Sequence, residues 1–279
     1  MNQPIRVPLA VTTSGKPEEA LVARARQAAR DWKLPFLPRR KKEPLGPLLE
    51  TGAEALLVFE RDAVSLWDGE GSFRFNPGMA HLRRLRILSG QEDDALVRVA
   101  GLRSGDSVLD CTLGLGQDAL VAALVVGPSG RVVGVERSLA LYAVVSEGLA
   151  SYDHGPASAR VEPVHADSRE YLRSLPSGSF DVVFFDPMFE KPKKSQPAFE
   201  MLRRFAEYAP LTSETLAEAR RVARRWVVVK GSKHSEDLKK LGLTAEAGSR
   251  YTSVIWGRVP GGQGGELPRA PGGPLASHQ

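Results

Sequence analysis

The feature that most constrains the fold is a strict alternation. From residue 107 onward, short runs rich in β-branched and aromatic residues alternate with apolar stretches of helical length. Strands are predicted at residues 107–111, 131–136, 161–165, 180–185, 226–230 and 252–257, the last preceded by a partner near 243–247. Helices are predicted at 118–126, 139–151, 169–175, 197–208 and 213–224. The run 180–185, Phe-Asp-Val-Val-Phe-Phe, has almost no polar residue, as in a strand covered on both faces. Alternation of this kind predicts an α/β fold, a parallel sheet flanked by helices.

Upstream the pattern is different. Residues 5–12 read as a strand. The following Ser14-Gly15-Lys16 lacks the upstream glycine of a phosphate-binding loop and reads as a helix start. Pro17 sits in the first turn, and Glu18 and Glu19 face the positive end of the helix dipole. Leu21, Ala25, Ala28 and Trp32 then share one helical face. Pro35, Pro38, Pro44 and Pro47 mark an irregular basic segment, and 55–60, 64–67 and 72–75 read as short strands with tight turns such as Asp68-Gly69. Short helices follow at 81–88 and 94–100. The expected organisation is a small N-terminal α/β unit (1–78) that helps grip substrate, a main domain (79–259) and a disordered Gly/Pro-rich tail (260–279).

Apolar residues make up 42% of the chain, enough for a proper core. The formal charge is +5, and positive residues cluster at Arg39–Lys42, Arg83–Arg86, Lys191–Lys194 and Arg220–Arg225. Each run alone reads as a solvated face; four of them favour a nucleic-acid surface. Cys111 is the only cysteine, which excludes an intrachain disulfide and a cysteine zinc site. Neither His165 nor His234 has a second histidine at metal spacing, so no metal is expected. Residues 1–10 lack the apolar core of a signal peptide, and the longest apolar run, 119–126, is too short to span a bilayer. The expectation is a soluble cytoplasmic protein with no membrane partner.

The sharpest local signal is Val108-Leu-Asp-Cys-Thr-Leu-Gly-Leu-Gly-Gln-Asp-Ala119: a strand, a Gly114-x-Gly116 turn and a helix start. Such glycines let the backbone approach a ligand, and the helix start offers free N–H groups. Glu136, twenty residues after Gly116 at the end of the next strand, can hold both ribose hydroxyls of an adenosine. The same spacing fits a nicotinamide dehydrogenase nearly as well. After the third strand, His165-Ala-Asp167-Ser168 places an acid that can serve either a ligand or the N-cap of the next helix. Asp186-Pro187-Met188-Phe189 closes the fourth strand, followed by Lys191, Lys193 and Lys194, and Lys230 ends the fifth.

These segments together resemble the class I S-adenosylmethionine-dependent methyltransferases. Asp110 stands where such enzymes carry an acid facing the methionine end of the cofactor, and Asp167 where an acid accepts from the adenine amine. Asp186-Pro187-Met188-Phe189 resembles the Asp/Asn-Pro-Pro-Phe/Tyr of amino-methyltransferases, with Met188 in place of the second proline. The narrower resemblance is to the bacterial small-subunit ribosomal RNA guanosine methyltransferases of the RsmJ type. It spans residues 77–232 and rests also on 114–119, Glu136-Arg137, 165–168, 227–230 and Ala80-His81. Glu190 departs from it, standing where a proline is common.

The resemblance implies a doubly wound, mostly parallel, seven-stranded Rossmann-like sheet with an antiparallel last strand. It implies S-adenosylmethionine as cofactor, lined by Gln117, Asp118, Glu136, Arg137, Asp167, Ser168 and Asp186, with Asp110, Gly114, Gly116 and Asp118 shaping the methionine pocket. Asp186 and Pro187 would aim acceptors at a base amine while Phe189 stacks on the extruded base. The implied partner is ribosomal RNA or the small ribosomal subunit. A methyltransferase for protein glutamine, DNA or a small molecule, a nicotinamide oxidoreductase, and a non-catalytic RNA-binding protein are the competing expectations.

Overall fold

The computed structural model describes residues 9–90, 94–187, 204–206, 210–233, 237–246 and 254–262. The chain begins with β1 (Leu9–Thr13), α1 (Glu19–Asp31) and the single turn α2 (Gly46–Leu49). Three short strands follow: β2 (Ala55–Phe59), β3 (Val64–Trp67) and β4 (Ser72–Arg74). They form a four-stranded sheet in sequence order. β1 pairs parallel with β2 across α1, and the other pairings are antiparallel.

Next come α3 (Gly78–Leu88) and α4 (Ala95–Ala100), then the alternating region. Its elements are β5 (Ser107–Asp110), α5 (Gln117–Val126), β6 (Arg131–Glu136), α6 (Leu139–Ser151), β7 (Val161–His165), α7 (Ser168–Ser174) and β8 (Phe180–Phe185). After these follow α8 (Ser213–Val222), β9 (Ala223–Ser232), α9 (Asp237–Lys240), β10 (Thr244–Glu246) and β11 (Val254–Pro260). The sheet order is β10-β11-β9-β8-β5-β6-β7. β7, β6, β5, β8 and β9 run parallel, and β11 is antiparallel to both of its neighbours. The order reverses between β5 and β8, the place where open α/β sheets bind ligands beyond their carboxyl ends.

The buried parallel strands match the sequence expectation closely because both their faces are covered: Val182, Val183, Phe184 and Phe185 are all buried. Several boundaries differ. The first strand runs Leu9–Thr13 rather than over 5–12, whose first residues lie outside the described ones. The helix expected to reach residue 224 stops at Val222, because Ala223 already pairs with Phe180. The single turn α9 went unpredicted. Most of the helix expected at 197–208 and the tail beyond Gly262 fall outside the described residues.

α6 shows why its sequence is apolar on more than one face. It touches β2, β3 and β4 on one side and β6 and β7 on the other. Its Ala140, Leu141, Ala143 and Val144 share a core with Val11, Ala25, Leu57, Phe59 and Leu66 of the N-terminal unit. Among the described residues no helix is long and apolar enough to cross a membrane.

Candidate active site

The site lies at the carboxyl ends of β5, β6 and β8. β5 ends on Asp110, and the chain turns through Gly114 and Gly116, both left-handed with φ of 49° and 72°. Those angles favour glycine over residues with a side chain. Glu136, at the tip of the adjacent β6, lies beneath this turn. Its Oε2 accepts from the Gly114 amide at 3.0 Å and its Oε1 from the Ser138 amide at 2.8 Å. Glu136 is buried. A carboxylate accepts at several lone pairs, so bracing the turn is compatible with holding ribose hydroxyls.

Asp110 is buried and takes its hydrogen bonds from Thr112, the amide at 2.9 Å and the hydroxyl at 3.4 Å. Behind it is a small cavity lined mainly by Leu96, Val108, Ala119, Val182 and Phe184. Burial pushes the Asp110 carboxyl up to about 8, against the Thr112 bonds and with added repulsion from Asp118 and Asp186.

A chain of charges crosses the site. Asp94, which caps α4 through the Leu96 and Val97 amides, holds Arg83 of α3 at 2.8 Å. Arg83 also pairs with Asp118, the second residue of α5, at 2.5 Å. Asp118 meets Lys230 of β9 at 3.1 Å, and the same ammonium reaches Asp186 at 2.7 Å. Lys230 lies 5.5 Å from the centre of the Trp256 ring. Burial alone would raise Asp118, but Lys230 and Arg83 outweigh it and hold the carboxylate below its ordinary range. Lys230, which burial alone would lower, is raised by Asp118 and Asp186. The Asp186 backbone amide donates to the Thr112 hydroxyl at 2.6 Å, fixing the end of β8 against the turn after β5.

The other expected site residues occupy the neighbouring strand ends. Asp167 caps α7 through the Arg169 amide and pairs with the Arg169 guanidinium at 2.6 Å, which holds it below the usual carboxylate range. Arg137 lies 3.6 Å from Asp167, and Ser168 opens α7. The Gln117 amide reaches away from the turn: it donates to the Asn76 carbonyl at 2.7 Å and accepts from the Ala80 amide at 2.6 Å, tying α3 to the start of α5. Pro187 follows Asp186 directly. Met188, Phe189, Glu190 and the lysines at 191, 193 and 194 lie outside the described residues.

Sequence reasoning did not assign Arg83, Asp94 or Thr112 to the site. Arg83 sits in a basic run read as one surface, and only the packing of α3 on α5 turns it inward. Two basic runs are corrected in this way. Arg84 is buried, bonding the Tyr152 hydroxyl, the His154 carbonyl and Ser158. In the last run Arg221 serves Glu218 and two carbonyls, Arg224 pairs with Asp181, and Arg225 with Asp106. These arginines tie elements together instead of forming a phosphate-binding stripe.

The donor set suits S-adenosylmethionine. Asp110, Asp118 and Asp186 repel one another, and such a cluster favours a cationic sulfonium and ammonium.

Known proteins agree. Residues 48–251 match the profile of a family described as "Putative SAM-dependent methyltransferase". "Uncharacterized protein YpiP" of Bacillus subtilis (strain 168) is 37% identical over 84% of this chain and 92% of its own length. "Ribosomal RNA small subunit methyltransferase J" of Shewanella amazonensis is 32% identical over 67% of this chain and 79% of its own, and the protein of that name in Coxiella burnetii is 31% identical over 72% and 82%. A solved SAM-dependent methyltransferase from Neisseria gonorrhoeae superimposes with a TM-score of 0.60 at 22% identity, covering 92% of this chain and 97% of that one. With its sheet order, its acid-lined turn and these relatives, the chain belongs to the class I S-adenosylmethionine-dependent methyltransferases, of the RsmJ type.

Proposed function

We propose that this enzyme methylates the exocyclic amine of a guanosine in small-subunit ribosomal RNA. The observation that carries the reading is the pinning of Asp186. Its amide is held by Thr112 and its Oδ2 by Lys230, at the sheet's reversal point beside the Gly114–Gly116 turn. The cofactor, when bound, supplies an electrophilic methyl group. An exocyclic base amine is a poor nucleophile because its lone pair is delocalised into the ring. Acceptors aimed at its hydrogens favour a pyramidal nitrogen that can attack in line. Asp186 Oδ1 and the Pro187 carbonyl supply those acceptors, with Phe189 as the stacking surface. The proton leaves after transfer, so no strong general base is required. Glu136 holds the ribose, and Asp167 with Ser168 receives the adenine. Arg137 braces Asp167.

The Shewanella and Coxiella relatives support the choice of RNA by their names. The basic runs contribute less to it than the sequence implied. A ribosomal substrate also places the enzyme in the cytoplasm.

The test starts with calorimetric titration of S-adenosylhomocysteine beside NADH, where the former alone should bind. Labelled-methyl transfer to unmodified small-subunit RNA follows, with nucleoside analysis expected to show a guanosine methylated on its amine. Asp186→Asn should lower the rate by about 100-fold or more with cofactor affinity within a few-fold. Methyl transfer to protein or DNA instead of RNA, or full activity in Asp186→Asn, overturns the reading.

A further inference from the structure

α3 is fastened to the start of α5 twice, by different chemistry. The first tie is neutral: Gln117 bonds the Asn76 carbonyl and the Ala80 amide, and Ala80 is fully buried. The second is ionic. Arg83 meets Asp118 with only 21% and 9% of the two side chains exposed. Placing charges in a packed junction costs desolvation, and an apolar pair of similar volume often holds such a junction at least as well. Attachment of α3 alone does not call for the ionic tie.

Asp94 takes the Arg83 guanidinium at two nitrogens, Nε at 2.8 Å and Nη2 at 3.0 Å. Such a fork fixes the guanidinium plane. Asp94 is itself anchored, because its Oδ1 also accepts from the Leu96 and Val97 amides as the cap of α4. The remaining nitrogen of Arg83, Nη1, donates to Asp118 Oδ1 at 2.5 Å, while Lys230 donates to Asp118 Oδ2 at 3.1 Å. One cation on each oxygen fixes the Asp118 carboxylate and leaves each oxygen a further lone pair for a ligand. Without Arg83, Asp118 and Asp186 would have to share Lys230.

We propose that Arg83 and Asp94 are positioning residues for cofactor binding: Asp94 aims Arg83, and Arg83 holds the Asp118 carboxylate where it meets the ammonium of the cofactor's methionine end. This inference rests on the placement of Asp118 in the methionine pocket. Neither Arg83 nor Asp94 has to touch the cofactor. Arg83 comes from α3 and Lys230 from β9, so three elements together set a carboxylate that α5 alone would leave to its own rotamers. The two cations also keep Asp118 ionised beside Asp110 and Asp186, which repel it. An ionised, immobile carboxylate is what an arriving ammonium needs, because no reorganisation remains to be done on binding.

Calorimetric binding of three ligands tests the proposal. They are S-adenosylhomocysteine, its decarboxylated form, which keeps the ammonium, and 5′-methylthioadenosine, which lacks the whole amino-acid end. Arg83→Met should weaken the first two by the same factor, about tenfold or more, and leave the third unchanged. Arg83→Lys should recover part of that loss. Asp94→Asn keeps the cap of α4, because its side-chain carbonyl still accepts, and should weaken the first two ligands by about threefold or more. Added to Arg83→Met it should cost nothing further, since its effect passes through Arg83. A loss confined to the ligand with a carboxylate overturns the proposal and makes Arg83 a direct partner of that group. An equal fall for all three ligands also overturns it and makes the ion pair a strut of the fold. So does wild-type affinity in both variants, or a double variant in which the two losses add. A wild type that binds the decarboxylated form no more tightly than 5′-methylthioadenosine fails the placement of Asp118 itself, an outcome distinct from failure of the Arg83 role.

Discussion

Replacing Asp110 with Asn should stabilise the ligand-free protein progressively as pH rises. The folded carboxyl titrates near 8 and the free side chain near 3.8. Between those values the native state keeps a proton that the unfolded chain has lost, so native Asp110 lowers stability as pH increases. The slope approaches about 1.4 kcal/mol per pH unit, and the cost at neutral pH reaches about 4 kcal/mol. Asn carries no such proton. Its unpaired amide adds a pH-independent penalty of about 1–3 kcal/mol, so the intercept is uninformative and the slope is the observable. Urea unfolding of both proteins from about pH 5 to pH 8 should show their stability difference moving in favour of Asn by about 1 kcal/mol per unit. The same carboxyl gives a second readout. A ligand ammonium arriving beside Asp110 lowers its proton affinity, so S-adenosylhomocysteine should release nearly one proton at about pH 7. Calorimetry in two buffers of different ionisation enthalpy measures it, and Asp110→Asn should abolish it. A stability difference constant across this pH range would refute the reasoning, as would binding without proton release in the wild type.

Other substitutions probe the frame around that carboxyl. Lys230→Met leaves Asp118 with Arg83 but deprives Asp186 of its cation. Stability should fall by about 2 kcal/mol and methyl transfer by about 100-fold, with Lys230→Arg retaining more of both; unchanged turnover would remove Lys230 from the site. Thr112→Val removes the acceptor for the Asp186 amide. It should cost about 1 kcal/mol in urea and lower kcat while KM for the cofactor holds, whereas a change in KM alone would contradict the positioning role. Gly148→Ala would place a Cβ 2.2 Å from Phe75 Cγ. The overlap should outweigh the helix-propensity gain of about 1 kcal/mol and leave a net loss of about 2 kcal/mol, measurable as a lowered urea midpoint.

The parallel sheet was legible in the sequence because its strands are buried on both faces, and such strands read as nearly continuous apolar runs. Phe180–Phe185, Arg131–Glu136 and the apolar α6 all coincide with their expected bounds. The Gly114–Gly116 turn and Glu136 were legible because their spacing is local and the turn demands glycine. The ion chain was not. Asp94, Arg83, Asp118, Lys230 and Asp186 come from five elements, and their pairing depends on how α3 packs over α5. A run of arginines has the same one-dimensional appearance whether it faces water or a carboxylate, so Arg83 and Arg84 read as surface until the fold turned them inward. Asp167 carried two readings in the sequence, and its capping of α7 is the one the described contacts display.

The double engagement of α6 has a mechanical consequence. A helix that is core to two sheets at once leaves no hinge between them. Leu141 and Val144 cannot leave the N-terminal unit without opening a cavity there. A substrate held jointly by both units would meet a rigid frame and would not have to draw a clamp closed around itself. Fewer degrees of freedom would then be frozen on binding, and more of the contact energy would remain as affinity. The same geometry predicts how the chain fails under truncation. Removing the first sheet would bare the apolar flank of α6 to water, so the methyltransferase sheet alone would be a sticky fragment instead of a minimal enzyme.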